Sequence, residues 1–169
     1  MRKQAIIRQT CTFIVMTVRK RRPEGTNHYD GKAVRRMSEE IFGAVQKLPV
    51  NGTKKQVLLQ CAPLLTGIKL SNLLNVRADQ KDEVFKLFEG SKICCRVLYE
   101  FRGRLSILLY RPGMLRAYLE REDVKRLMAS FGYEDLGLVE TLDRIAEGYQ
   151  EHMDGKRGFP HEIGLVLGY

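Results

Sequence analysis

The sequence predicts an α+β fold, a mainly helical single domain with a central antiparallel β-hairpin at about residues 92–111. Apolar residues recur at helical spacing on both sides of that region. Within it, two β-prone runs flank the compact turn signal Arg102-Gly103-Arg104. A chain of 169 residues is long enough for one domain with a genuine core, whereas two domains would both be small.

Two helices open the regular pattern. Apolar spacing predicts a helix over residues 37–48, which Pro49 ends. A second helix follows Thr53, a preferred N-cap residue, and closes at Gly67. Pro63 lies inside it and predicts a kink or an early break.

The segment before the hairpin is also predicted to be helical. Residues 68–74 are short and apolar, which we interpret as another turn or two of helix. Asp79 then caps a third helix, whose apolar face includes Val84 and Phe88. Gly90 ends that helix.

Two more helices follow the hairpin. One is predicted over residues 114–131, with Gly132-Tyr133 as its end, and another over residues 138–149. Residues 154–158 form a loop rich in turn-forming residues. The apolar residues 163–169 are equally compatible with a strand or a helix.

The net charge of +9 is concentrated at one end of the chain. Residues 1–36 contain ten basic and two acidic side chains, whereas the remainder contains 19 basic and 18 acidic ones. Phosphate binding driven by excess charge would therefore concern the N-terminal part alone. We predict a basic, loosely ordered extension at residues 1–36 and one α+β domain at residues 37–169.

The cysteines and the hydropathy indicate the compartment. Cys11, Cys61, Cys94 and Cys95 include no C-x-x-C pair and no regular disulfide framework. No apolar run approaches the roughly 20 residues that span a bilayer, and no secretory cleavage pattern is present. Free thiols and a cytoplasmic location are the prediction, with no integral membrane segment.

The candidate site residues are three thiols and a His-Glu pair. His161 and Glu162 are typical of acid–base or metal chemistry, although no H-E-x-x-H motif surrounds them. Cys61 is a nucleophile candidate only if folding brings His161 to it. Together with Cys94 and Cys95 these residues would form a soft-metal or haem-iron site. The alternatives are that Cys61 is a core residue, that His161 bonds a carbonyl and that Glu162 caps a helix.

The hairpin carries a further, weaker signal. Its Arg-Gly-Arg turn and the aromatic residues Tyr99, Phe101 and Tyr110 are similar to the exposed basic strands of RNA-binding sheets. The RNP consensus is missing, and aromatic residues in hairpins more often serve cross-strand packing. Walker, dinucleotide-binding, nucleophile-elbow, EF-hand and zinc-finger motifs are absent from the sequence.

Several segments carry a family resemblance. Residues 61–69, the hairpin end Leu108-Leu109-Tyr110-Arg111, Gly132-Tyr133 and above all Phe159-Pro160-His161-Glu162-Ile163-Gly164 stand out. Over residues 37–169 the chain resembles the uncharacterised bacterial family called domain of unknown function 3793. The resemblance implies a bacterial cytosolic protein and no mechanism. Residues 1–36 are atypical of that family, and its members usually continue beyond the final Gly-Tyr, so we expect a C-terminally truncated member.

Three functions remain open from the sequence. The leading hypothesis is a small cytosolic protein with a metal-, haem- or redox-linked Cys/His site. The alternatives are a non-enzymatic protein-interaction module and RNA binding through the basic extension. The sequence does not decide whether the protein is an enzyme, which cofactor it would use or what its oligomeric state is.

Overall fold

The structure, a computed structural model, describes residues 52–168. The predicted α+β class is confirmed, because this part of the chain contains six α-helices and one three-stranded antiparallel sheet. The helices are α1 (Thr53–Leu65), α2 (Lys81–Phe88), α3 (Pro112–Leu119), α4 (Glu122–Ser130), α5 (Leu138–Met153) and α6 (Glu162–Val166). The strands are β1 (Ser71–Arg77), β2 (Cys94–Phe101) and β3 (Arg104–Tyr110). The predicted extension 1–36 and the predicted helix 37–48 lie outside the described residues.

The sheet is organised around its last strand. Its order is β1-β3-β2, so β3 pairs with both neighbours. The predicted hairpin is formed by β2 and β3, and Gly103 occupies its turn with a φ of 73°. β1 pairs with β3 along its whole length, from Ser71 opposite Tyr110 to Arg77 opposite Arg104.

Helices cover both faces of the sheet. On the first face, Leu105, Ile107 and Leu109 of β3 form one apolar cluster with residues of α1 and α2. On the second face, Leu108 belongs to another cluster, with residues of α3, α4, α5 and α6. The alternation of side chains along a strand produces this division. The described part of the chain is therefore a three-layer arrangement with two apolar cores.

The prediction of a helical turn over residues 68–74 is wrong, because β1 begins at Ser71. Leu74 points into the first cluster and Leu73 packs against the second. Such a short apolar run suits either structure, and pairing with β3 decides between them. The side-chain amide of Asn72 also donates a hydrogen bond to the backbone carbonyl of Gln60, which attaches the strand to α1.

The helix predicted over residues 114–131 is divided in two. The chain is extended at Arg121, with ψ of 137°, between α3 and α4. The guanidinium of Arg121 bonds the carboxylate of Asp123, and two acidic residues in the first turn of α4 favour a new helix start. The break lets Leu115 and Met128 both reach the second cluster.

Two predicted N-caps are also corrected. Gly52 is the N-cap of α1, and Thr53 is its first residue. The Thr53 hydroxyl instead donates to the Glu83 carboxylate of α2. Asp79 lies in a short 3-10 helix, Ala78–Gln80, ahead of α2 and pairs with Arg77.

Polar contacts join the ends of the sheet to the helices. The guanidinium of Arg111 donates to the carbonyls of Leu64 and Leu65 at the C-terminal end of α1, each at 3.1 Å. Residues 163–169, which the sequence left open between strand and helix, begin within the helix α6. The buried hydroxyl of Ser71 donates to the Val166 carbonyl and fastens α6 to the start of β1.

We expect Ile107→Ala to destabilise the protein by about 2–5 kcal/mol, because the Ile107 side chain is 0% exposed in the central strand. Ile68→Ala is the matched control, since the Ile68 side chain is 67% exposed. Urea unfolding of both variants measures the difference. Equal unfolding midpoints would contradict the central position of β3.

Candidate functional site

The Cys61 thiol is enclosed in the first apolar cluster. Its side chain is buried and accepts a hydrogen bond from the Asn72 amide at 3.5 Å. Burial raises the pKa of the Cys61 thiol to about 12, although the Asn72 hydrogen bond acts in the opposite direction. The thiolate, which is the nucleophile and metal ligand, is therefore disfavoured at neutral pH.

Cys94 and Cys95 point to opposite sides of β2. Cys95 packs against the cluster that contains Cys61, whereas Cys94 is exposed. Burial, followed by the charges of Cys94 and Cys61, raises the pKa of the Cys95 thiol to about 12. Cys61, Cys94 and Cys95, the cysteines within residues 52–168, are unbridged. The fold thus brings Cys61 and Cys95 into one apolar region and leaves Cys94 outside it.

His161 lies away from these thiols. It is exposed and precedes α6, which packs in the cluster on the other face of the sheet. Its ring contacts Phe159 edge to face, with centroids 5.5 Å apart. Phe159 also contacts His152 at 5.3 Å. Among residues 52–168, no three His, Cys, Asp or Glu side chains are grouped so that they could hold a metal ion.

Glu162 is the buried member of the candidate set. Glu162 is the first residue of α6 and is only 1% exposed. The carboxylate accepts hydrogen bonds from the Tyr133 hydroxyl at 3.1 Å and from the Arg157 guanidinium at 3.0 Å. A buried carboxylate requires such partners. Glu162 therefore fixes the positions of Tyr133 and Arg157.

A glycine makes room for this ion pair. A Cβ atom at Gly148 of α5 would lie 2.6 Å from a guanidinium nitrogen of Arg157. The small residue lets Arg157 pass α5 and reach Glu162. Arg157 is partly exposed, so solvent weakens the pair on one side.

Tyr133 also lines an open cleft of about 480 Å³ between α3, α4 and the start of α5. The buried residues Met128, Tyr133 and Thr141 form its floor. Leu119, Ala129 and Leu138 add apolar sides. Pockets with apolar walls and a few polar groups are the usual binding sites for small molecules.

The rim of this cleft is charged. Arg116 and Lys125 provide two cations, and Glu120, Glu134 and Asp135 provide three carboxylates. Within the described residues, the three carboxylates have no hydrogen-bond or ion-pair partner. The rim therefore carries a small excess of negative charge, and its carboxylates are available to bind a ligand.

Thr141 is the polar group at the floor. The residue is 4% exposed, and its hydroxyl forms no hydrogen bond with any residue between 52 and 168. The hydroxyl oxygen keeps contact with solvent, since the fully buried side-chain atom without a partner in residues 52–168 is Nε of Arg96. Because Thr141 lines the cleft, a molecule bound there would form a hydrogen bond with this hydroxyl in place of water. The sequence contains no motif for this site, because its residues come from three helices and a connection.

Comparison with known proteins identifies the family. A family model described as Protein of unknown function (DUF3793) matches residues 57–169. The chain belongs to this family. The resemblance carried by the Phe-Pro-His-Glu-Ile-Gly segment is therefore confirmed, although the match begins at residue 57 rather than 37. No curated protein and no solved structure matches the chain, so the comparisons add no activity.

Among residues 52–168, no helix combines the length and the apolar character that crossing a bilayer requires.

We expect alkylation of the native protein by iodoacetamide to label Cys94 first, Cys95 more slowly and Cys61 last. Cys94 reacts first because it is exposed, and the raised pKa values of the partly buried Cys95 and the buried Cys61 slow their reactions. Peptide mass spectrometry over a time course separates the three sites. The unfolded protein in guanidinium is the control, in which the rates should converge; native labelling of Cys61 as fast as Cys94 would refute the prediction.

We expect Glu162→Gln to destabilise the protein by about 1–2 kcal/mol, because it weakens two hydrogen bonds to a buried charge. Glu151→Gln is the control. Its carboxylate lies 4.0 Å from the same guanidinium but is exposed. Thermal and urea unfolding measure both effects. The same loss in both variants would argue against a special role for Glu162.

The same variant changes the pH dependence. Burial, together with the charge and hydrogen bond of Glu162, raises the pKa of Tyr133 above its ordinary value. The folded state thus holds this proton more tightly, and stability falls as pH rises above about 10, the ordinary tyrosine pKa. Without the Glu162 charge the fall should be shallower. Urea midpoints between pH 8 and 11 measure the slope; an unchanged slope would count against the coupling.

Proposed function

We propose that this protein binds a small molecule in the cleft between α3, α4 and α5. Thr141 carries the proposal, because this residue of the cleft floor has a hydroxyl that water reaches and that forms no hydrogen bond with the described chain. A bound molecule would replace the water at this hydroxyl with a hydrogen bond that contributes about 0.5–1.5 kcal/mol.

The lining favours a class of ligand. Its apolar sides suit an apolar body, and at its floor the Thr141 hydroxyl can donate or accept a hydrogen bond, whereas the Tyr133 hydroxyl already donates to Glu162. The rim has one more carboxylate than cations, so a strongly anionic molecule is repelled. We therefore propose an uncharged or zwitterionic ligand of modest size, with a hydrogen-bonding group that reaches Thr141.

Tyr133 would link this site to the family segment. Its ring forms part of the cleft floor, and its hydroxyl bonds Glu162. In this proposal Glu162 is a positioning residue that holds the Tyr133 wall in place. Its exposed neighbour His161 has no part in the cleft.

The sequence-based alternatives remain proposals with less geometric support. A Cys/His metal, haem or redox site would need Cys61 to ionise and would need His161 to cross from the opposite face of the sheet. A protein-interaction module is compatible with the same cleft if the occupant is a peptide side chain. The unbridged thiols support a reducing bacterial cytoplasm, and residues 37–169 stay our proposed domain.

We expect a library of small neutral and zwitterionic compounds to yield ligands that shift the amide NMR signals of the cleft residues. Ala129→Phe should abolish this binding, because the new ring fills the cleft. Thr141→Val keeps the side-chain shape and removes the hydroxyl, so affinity should fall roughly 2- to 10-fold, as expected for one hydrogen bond. Its stability should be equal or higher, since no hydrogen bond to the described chain is lost.

Ala117→Phe is the control for the added ring, because Ala117 is an exposed residue of α3 outside the cleft. Binding by this control should match the wild type. Binding that survives Ala129→Phe, or a library without any ligand for the wild type, would overturn the proposal.

A further inference from the structure

One end of the sheet has a face that no helix covers. At the hairpin tip, Arg77 of β1 lies opposite Arg104 of β3, and Arg104 lies opposite Phe101 of β2. Directly opposed residues of antiparallel strands project to the same side of the sheet. All three are exposed, and Phe101 is 51% exposed. The row therefore presents two guanidinium groups and a phenyl ring to solvent.

The charges of this row are not balanced within it. Like charges directly opposite each other destabilise a sheet. Asp79 neutralises Arg77, whereas the guanidinium of Arg104 has no partner among residues 52–168. Arg102 adds a third cation, whose guanidinium lies over the Phe101 ring, 4.9 Å from its centroid. Three cations and one carboxylate thus surround an exposed aromatic ring, which is the arrangement that an anionic, stacking partner would stabilise.

A second row on the same side extends this surface. Two positions further along the strands, Asn75, Ser106 and Tyr99 lie opposite one another. The Ser106 hydroxyl donates to the Asn75 side-chain oxygen at 2.7 Å. The Tyr99 ring is buried and supports Phe101 from 6.0 Å. The surface therefore combines an aromatic platform, polar side chains and cations, with Asp154 beside the Tyr99 hydroxyl at its inner edge.

We infer that this open end of the sheet binds single-stranded nucleic acid. A base would stack on Phe101, since base–aromatic stacking needs only an accessible ring. The neighbouring phosphates would contact Arg104, whose guanidinium has no partner among residues 52–168, and Arg102 next to the same ring. Asn75 and Ser106 would supply hydrogen bonds to base edges or sugars. An acidic protein would use the cations but would leave the exposed ring without a specific role.

This surface is separate from the cleft and from the basic extension. The residues that carry it belong to β1, β2, β3 and the hairpin turn, and none of them lines the cleft. Binding through residues 1–36 would not depend on Phe101 or Arg104. The two sources of nucleic-acid affinity are therefore separable by substitution in the full chain.

Fluorescence anisotropy with labelled 12-nucleotide single-stranded RNA and DNA tests the inference. Phe101→Ala should lower the affinity of the full chain roughly 5- to 100-fold, as expected for the loss of one stacked base. Phe159→Ala is the matched control, because the Phe159 ring is similarly exposed, at 48%, but lies in the segment before α6 and not on the sheet. It should leave the affinity unchanged.

Charge is tested in the same assay. Arg104→Gln should reduce the slope of log affinity against log salt by about 0.7, the value for one contact to a single strand. Arg126→Gln, an exposed arginine of α4, should leave the slope unchanged. Circular dichroism confirms that the variants fold. Equal affinities for Phe101→Ala and Phe159→Ala, no measurable binding by the wild type, or displacement of the nucleic acid by a poly-glutamate peptide at equal charge concentration would overturn the inference.

Discussion

β3 is the strand on which the described fold depends, because it pairs on both edges and its central residues are covered on both faces. Its odd and even positions serve different apolar clusters, so one strand holds two helical layers in register. A shift by one residue would exchange Ile107 and Leu108 between those layers and misplace every helix. The cleft, the Glu162 network and the open hairpin tip all take their positions from this strand.

The sequence predicted the local elements well where apolar residues recurred regularly over a long segment or where a glycine indicated a turn. The hairpin could be predicted because Gly103 separates two β-prone runs. Helix α5 could be predicted because its apolar residues are regularly spaced. β1 was missed, since Leu73 and Leu74 side by side do not distinguish a strand between two cores from a helical turn. The break at Arg121 was missed because neither glycine nor proline marks it.

The sites were less accessible than the fold. Sequence analysis singled out Glu162, but its partner Tyr133 lies 29 residues away and appeared only as the end of a helix. Cys61 and His161 looked like a possible pair, yet the division of the molecule by the sheet places them in different layers. Thr141 gave no signal, because a threonine within a helical pattern becomes notable only when its surroundings are known.

The hydrogen bond between Ser71 and Val166 joins residues that are 95 positions apart. During synthesis, the ribosome releases β1 long before α6, and at about 5–20 residues per second the delay is roughly 5–20 seconds. Throughout that interval the hydroxyl of Ser71 lacks its final acceptor, and the second apolar core lacks its last helix. During this interval the layer of helices on the second face of the sheet is incomplete. Its exposed apolar surface is one that a chaperone would bind.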